Sequence, residues 1–420
     1  MKGYFFFHRR ALAVTALLSC SIFLLVRCMN HDKPEKKQTS ALFPSTDSAT
    51  QYAAYAGMAS CRNCHKAICD SFLLTHHFLT SQPASLKGIK GSFSPGKNTY
   101  KFRPWLEVAM EKRDSGLYQV AYSHGVEKVA GRIDIIMGSG AKGQTYLSWR
   151  SDRLFQLPVS YLTQAGAWAN SPGYPDRVVY NRPVTSRCLE CHSTYAEVTS
   201  PPNQEPESFA PGQMILGITC ERCHGPAAKH VAYETSHPGD PVGKYIIAPS
   251  RFSRQQRLDM CALCHGGRLQ KIQPSFSFVA GDTLSKYFIK NVSAPNTKEI
   301  DVHGNQLALL EESKCYQKSA TMTCLSCHDP HANERDQVAV FSRRCMNCHN
   351  PEKGTFCTIK SPHISSLAAN CIDCHMPKQP SMSIALLLQG HVIPTAALIH
   401  THIIKVYPDA TKKYLSKHKM

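Results

Sequence analysis

Seven copies of one five-residue pattern, Cys-x-x-Cys-His, run through this chain, starting at Cys61, Cys188, Cys220, Cys261, Cys324, Cys345 and Cys371. The composition would give roughly 0.04 copies by chance, so the repeat governs what the chain folds around. The spacing has a chemical reason. Two thiols separated by two residues can add to the two vinyl groups of one haem, and the adjacent histidine is then held under the iron with little entropy left to lose. The thioether positions are Cys61, Cys64, Cys188, Cys191, Cys220, Cys223, Cys261, Cys264, Cys324, Cys327, Cys345, Cys348, Cys371 and Cys374. The proximal ligands are His65, His192, His224, His265, His328, His349 and His375. Zinc is the rival, since paired Cys-x-x-Cys units build tetrahedral sites. Zinc does not require a histidine after every second cysteine, and all seven motifs have one. The expectation is seven covalently attached haem c groups.

The chain divides around these motifs. Residues 1–30 read as an export signal or membrane anchor: Lys2, Arg9 and Arg10 precede the apolar run at 11–26. Cys20 and Cys28 each sit in an imperfect lipoprotein context, so lipid and peptide anchors both stay open. Residues 31–56 read as a polar tether and 57–97 as the first haem segment. Residues 98–180 read as a β-rich insertion. The runs 117–122, 132–136 and 145–149 alternate partially and are separated by Gly and Asp/Ser clusters. Residues 181–270 hold motifs two to four, and 271–420 hold motifs five to seven with a tail. The fold class expected is a mainly α and irregular multihaem cytochrome with little regular secondary structure, plus a small antiparallel β insertion.

Motif spacing carries function. After a gap of 127 residues between the first two motif starts, the later intervals are 32, 41, 63, 21 and 26 residues. So little chain between macrocycles keeps them in near contact, as an electron-conducting array.

Each iron also needs a sixth ligand. Outside the leader, tether and tail, the spare histidines are His76, His77, His124, His230, His237, His303, His331, His363, His391, His400 and His402. A lone histidine is usually a surface or core residue, but open irons raise the prior. His230 and His331 lie too close to their own motifs to reach the opposite face of the same iron, so each suits a neighbouring haem. Methionine is a weaker alternative, and would raise the potential. Beyond the leader, three further cysteines, Cys69, Cys315 and Cys357, fall outside the motifs. A Cys315–Cys357 disulfide is expected from export, while Cys69 suits a small buried hydrophobe.

The 48 basic against 30 acidic residues give a formal charge of +18. Fourteen propionates would lower this to about +4, and seven ferric cores would restore about +11. No nucleic-acid motif accompanies the charge, so nucleic acid is not an expected partner.

The segments Ala56–His65 followed by Ser71-Phe72 and Thr75-His76-His77, Cys220–Pro226 ending at His230, Cys324–His331 and Cys371–Pro377 resemble those of cytochrome c-554 type multihaem proteins. The resemblance covers residues 55 to about 405. It implies electron transfer outside the cytoplasm through mostly bis-histidine haems, on the periplasmic or cell-surface side. By motif position it favours His77, His230 and His331 as distal ligands, with His303, His363 and His402 similar to further distal positions. Seven motifs and the β insertion depart from the four-haem pattern.

An electron-transfer cytochrome, working with donor and acceptor proteins and attached to a membrane through its N-terminal segment, is therefore expected rather than a catalyst. The alternatives are a multihaem reductase or oxidase of a small nitrogen or sulfur compound with one open haem, and a haem-bearing structural subunit of a respiratory complex. Cys-x-x-Cys-Lys, found at the active haem of some nitrite reductases, does not occur in the sequence.

Overall fold

In the computed structural model, which describes residues 48–290, 300–359 and 364–418, β-structure organises far more of the chain than the insertion alone. The first strand, β1 (Ser81–Pro83), follows the first motif. A four-stranded antiparallel meander comes next: β2 (Thr99–Arg103), β3 (Leu106–Arg113), β4 (Gly116–Ser123) and β5 (Val126–Arg132). The β3–β4 register runs unbroken from Leu106↔Ser123 to Arg113↔Gly116. At the β4–β5 turn His124 and Gly125 take φ of 50° and 75°, the paired left-handed conformation that suits a two-residue hairpin.

The chain then lays down β6 (Ile135–Met137), β7 (Gly143–Arg150), β8 (Arg153–Gln156), β9 (Val159–Leu162), β10 (Ala167–Asn170) and β11 (Arg182–Pro183). Two separate hairpins follow, β12 (Ser193–Val198) with β13 (Phe209–Leu216), and β14 (Leu269–Lys271) with β15 (Phe288–Lys290). Finally β16 (Lys378–Leu388) and β17 (Thr395–His400) return from the seventh motif to the large sheet. That sheet has the order β1-β6-β7-β9-β10-β16-β17, with β8 on β7 and β11 on β8. Ala169↔Leu388 and Asn170↔Leu387 join a strand before the second motif to the strand after the seventh.

Two apolar clusters fix this arrangement. Tyr100, Val108, Met110, Ile136, Tyr146, Val159 and Trp168 pack the meander on the large sheet. Gln119, fully buried, bridges the layers: its Nε2 donates to the Val159 carbonyl at 2.6 Å and its Oε1 accepts the Val159 N–H at 2.9 Å. A second cluster joins Ile135, Leu147 and Leu154 of the sheet to Leu189, Tyr195, Phe209 and Phe276 around the second motif. Full burial of a side chain such as Leu189 or Phe209 contributes about 1.5–3 kcal/mol, so the β-structure and the haem segments share one core.

The expected fold class is corrected here. Strands hold about as many residues as α-helices, in several antiparallel sheets, and the chain is not mainly helical. The cause is visible in particular strands. β6 (burial on all three residues) and β9 lie inside the protein and show no polar alternation. In β16 a register shift between Pro380 and Ala385 interrupts the ladder and masks the period. Residues 48–56, counted with the tether, carry the helix Ser48–Ala53, and Tyr52 and Tyr55 stack near Tyr195 at 6.3 and 5.1 Å.

Candidate haem sites

Each motif folds as one helical turn. The histidine N–H bonds the carbonyl of the first cysteine in His65→Cys61 at 2.8 Å, His328→Cys324 and His349→Cys345 at 2.9 Å, and His375→Cys371 at 3.0 Å. The other three motifs end or fill the helices Ser186–His192, Cys220–His224 and Arg254–His265. This turn stacks the first cysteine and the histidine on one face, with the second cysteine three residues from the first.

Imidazole orientation is fixed by the backbone around it. The Nδ1 atoms of His224, His349 and His375 meet the carbonyls of Ile247 (2.9 Å), Thr355 (3.2 Å) and Lys405 (2.9 Å). Those of His192 and His265 meet Thr80 Oγ1 (2.9 Å) and Gln306 Oε1 (3.0 Å). An acceptor on Nδ1 fixes the proton there and leaves Nε2 unprotonated to ligate a metal. Burial reinforces the neutral form, pushing His192 and His77 down to about 4 and His402 to about 3. His77 keeps solvent-accessible surface although many protein atoms surround its ring.

Three motif histidines face a second imidazole across a constant gap. Ring centroids of His265 and His77 lie 6.2 Å apart, those of His224 and His331 6.1 Å, and those of His328 and His402 6.1 Å. Two nitrogens each about 2 Å from one first-row metal ion, in rings whose centres lie roughly 1.1 Å further back, give about 6.2 Å. The donor sets therefore fit an iron between two neutral imidazoles. Every such partner comes from a different segment than its motif.

The remaining candidates fall elsewhere. His230 Nδ1 meets the Lys244 carbonyl at 2.8 Å and His400 Nδ1 the Met376 carbonyl at 2.5 Å. His303 is desolvated and lies within electrostatic reach of His192 and His265. His363 lies outside the described residues. His124 stacks on Trp105 at 5.3 Å at the hairpin tip, His237 stacks on Tyr233 at 4.3 Å, and His391 is exposed. Both ring nitrogens of His76 are buried with no hydrogen-bond partner among the described residues. Cys69 is buried at 1% exposure. The expected Cys315–Cys357 disulfide is not formed: both are free thiols, and burial raises the pKa of the Cys315 thiol.

Contacts between motifs set an order that sequence reading missed. Glu221, inside the third motif and 3% exposed, accepts the N–H groups of Ala56 (2.7 Å) and Gly57 (3.0 Å) ahead of the first motif, and of Ala227 (2.9 Å). Arg222 donates to the Glu190 carbonyl of the second motif at 3.0 Å. The second and fourth motifs interlock: Arg187 donates to the Leu263 carbonyl at 2.9 Å, and Cys264 Sγ approaches the Glu190 carbonyl at 3.8 Å. Arg254, on the fourth-motif helix, reaches the Met322 carbonyl before the fifth at 2.9 Å. Arg344, ion-paired to Glu334, ties the sixth to the Cys327 carbonyl of the fifth at 2.7 Å. Cys371 of the seventh donates its N–H to Ser342 Oγ, beside the sixth, at 3.0 Å. The path runs first–third–second–fourth–fifth–sixth–seventh.

Seven haem-type motifs, oriented imidazoles and paired ligand rings on one core define a multihaem c-type cytochrome. Known proteins agree. The profile of the family described as cytochrome c554 and c-prime matches residues 174–225, which span the second and third motifs. The multihaem cytochrome MtrA of Shewanella baltica (strain OS185) is 24% identical over 153 residues, covering 33% of this chain and 44% of the relative. The chain thus spans less than half the length of that relative. Among solved structures, the outer cell wall cytochrome OcwA shares the fold with a TM-score of 0.54 at 18% identity, over 87% of this chain and 84% of the other. Together these likenesses support a multihaem c-type cytochrome family and imply covalently bound haem c.

Proposed function

We propose that the protein carries seven haem c groups and conducts electrons along them, outside the cytoplasm, between a donor and an acceptor protein. The observation that carries this is the trio of imidazole pairs at 6.1–6.2 Å, each made by residues from separate segments. In this reading His77 is the distal ligand at the fourth motif, His331 at the third and His402 at the fifth. His230, His303 and His363 are distal ligands for other motifs. When bound, the haem supplies reversible one-electron chemistry at an iron whose potential two histidines depress.

The chain's part is to hold the array. The inter-motif bonds through Glu221, Arg222, Arg187, Arg254, Arg344 and Ser342 keep neighbouring attachment sites at fixed spacing. Nδ1 acceptors keep the ligating nitrogens aimed. Export through residues 1–30 and attachment there to a membrane belong to the same proposal, supported by the basic and apolar pattern of that segment. Among the described residues no helix is long and apolar enough to cross a membrane.

The test is a haem count joined to a spin-state measurement. Intact mass and the pyridine haemochrome should give seven haems per chain, and ferric paramagnetic resonance should be almost wholly low-spin. A substantial high-spin signal that shifts with cyanide or nitrite would sink the electron-transfer reading and favour the enzyme.

A further inference from the structure

The two ends of the motif path differ in charge. At the first motif, Arg62 and Lys66 both pair with Asp70, at 2.6 and 2.5 Å. At the seventh, the C-terminal helix Pro408–Lys417 packs over the motif through Tyr414, which joins Cys374 and Leu367 in one apolar cluster. The outward side of that helix carries Lys412, Lys413 and Lys417, all exposed. Lys405, whose carbonyl holds His375, and Lys378, three residues beyond that histidine, are exposed too. No ion pair engages any of these five lysines among the described residues. The exposed carboxylates carried by the motif turn and the C-terminal helix are Asp373 and Asp409. Two propionates on a bound haem would leave the patch still positive. Val406, 66% exposed beside Lys405, adds an apolar spot to the charged surroundings.

Resting on the electron-transfer reading above, we infer that this lysine collar is the docking site for a carboxylate-rich redox protein, which exchanges electrons at the seventh haem. A charged patch that also exposes an apolar residue suits a short-lived redox encounter, in which complementary charge speeds association more than it tightens binding. At the first-motif end two cations share one aspartate, a net of about +1, against about +3 for the five lysines less two aspartates of the collar, before the propionates of either haem are counted.

The experiment uses the full haem-loaded chain and an acidic flavodoxin in its hydroquinone form as probe. The anionic hydroquinone gives up one electron and becomes the neutral semiquinone, while one ferric iron becomes ferrous. Stopped-flow haem reduction should slow about tenfold between low salt and 0.2 M salt. K412E/K413E/K417E should lose about tenfold at low salt, and K412Q/K413Q/K417Q an intermediate factor. K101E/K112E/K128E, the same charge change on the four-stranded sheet, should lose less than twofold. Reduction by the uncharged photogenerated deazaflavin radical reports the array itself. If it stays fast in all variants while the collar variants keep the wild-type flavodoxin rate, the docking site is refuted and electron transfer stands. If it is slow in the wild type, the electron-transfer reading itself fails. Equal losses in the collar and sheet variants, or collar-dependent binding to phosphatidylglycerol vesicles with an unchanged flavodoxin rate, also refute the proposal.

Discussion

His328 and His402 are 74 residues apart in sequence, yet their rings lie 6.1 Å apart and only 27° from parallel. One is a motif histidine on a short turn, and the other follows the last strand of the large sheet. His402 is crowded by protein, its Nδ1 has no hydrogen-bond partner among the described residues, and burial holds it neutral.

His402→Ala should therefore convert about one haem in seven from low-spin to high-spin, because it removes one sixth ligand. The same substitution in a chain lacking the fifth attachment site, C324A/C327A, should change the ferric spectrum no further. Paramagnetic resonance of the four proteins decides it. A second loss of low-spin signal in the combined variant would place His402 on another iron.

Glu221→Ala should destabilise the holoprotein by about 2–4 kcal/mol, since one buried and two half-buried N–H groups lose a charged acceptor at once. The damage should concentrate at the N-terminal end. Limited proteolysis near residues 48–57 should quicken while the seven haems remain attached. A denaturation midpoint and cleavage rate equal to wild type would show that the carboxylate is dispensable.

Much of the site was legible in sequence, and much of the fold was not. Cys-x-x-Cys-His is a local pattern whose chemistry needs only five residues, so each of the seven motif turns could be located directly. His77, His331 and His402 could be nominated but not paired, because pairing depends on which segments meet. His265 and His77 meet from 188 residues apart, and no local spacing records that. Glu190 and Glu221 occupy variable positions of their motifs, where no pattern marks them, and their burial shows only when neighbouring segments arrive. Strand periodicity failed where strands are covered on both faces, as at Ile135–Met137, and where the β16 irregularity breaks the ladder.

Gln119→Leu should cost about 2–4 kcal/mol, as it strands both the N–H and the carbonyl of Val159 inside the core. It should leave haem count and spin state unchanged, since residues 98–180 hold no motif. Chemical denaturation followed by far-ultraviolet dichroism and by the Soret band separates the two effects. Loss of attached haem in this variant would show that the meander is needed for the haem segments to fold.

The last prediction concerns the cysteines that no haem uses. Cys69, Cys315 and Cys357 are unbonded. A disulfide needs its Cα atoms within about 7 Å, and closing the 42-residue loop between Cys315 and Cys357 would require the two thiols to meet at that distance. From residue 48 onward, the holoprotein denatured without reductant should therefore take up three alkyl groups. Native alkylation should spare Cys69, which is 1% exposed, and modify Cys315 and Cys357 first. Peptide mass spectrometry reads both results. A Cys315–Cys357 linked peptide in the unreduced digest would overturn the assignment.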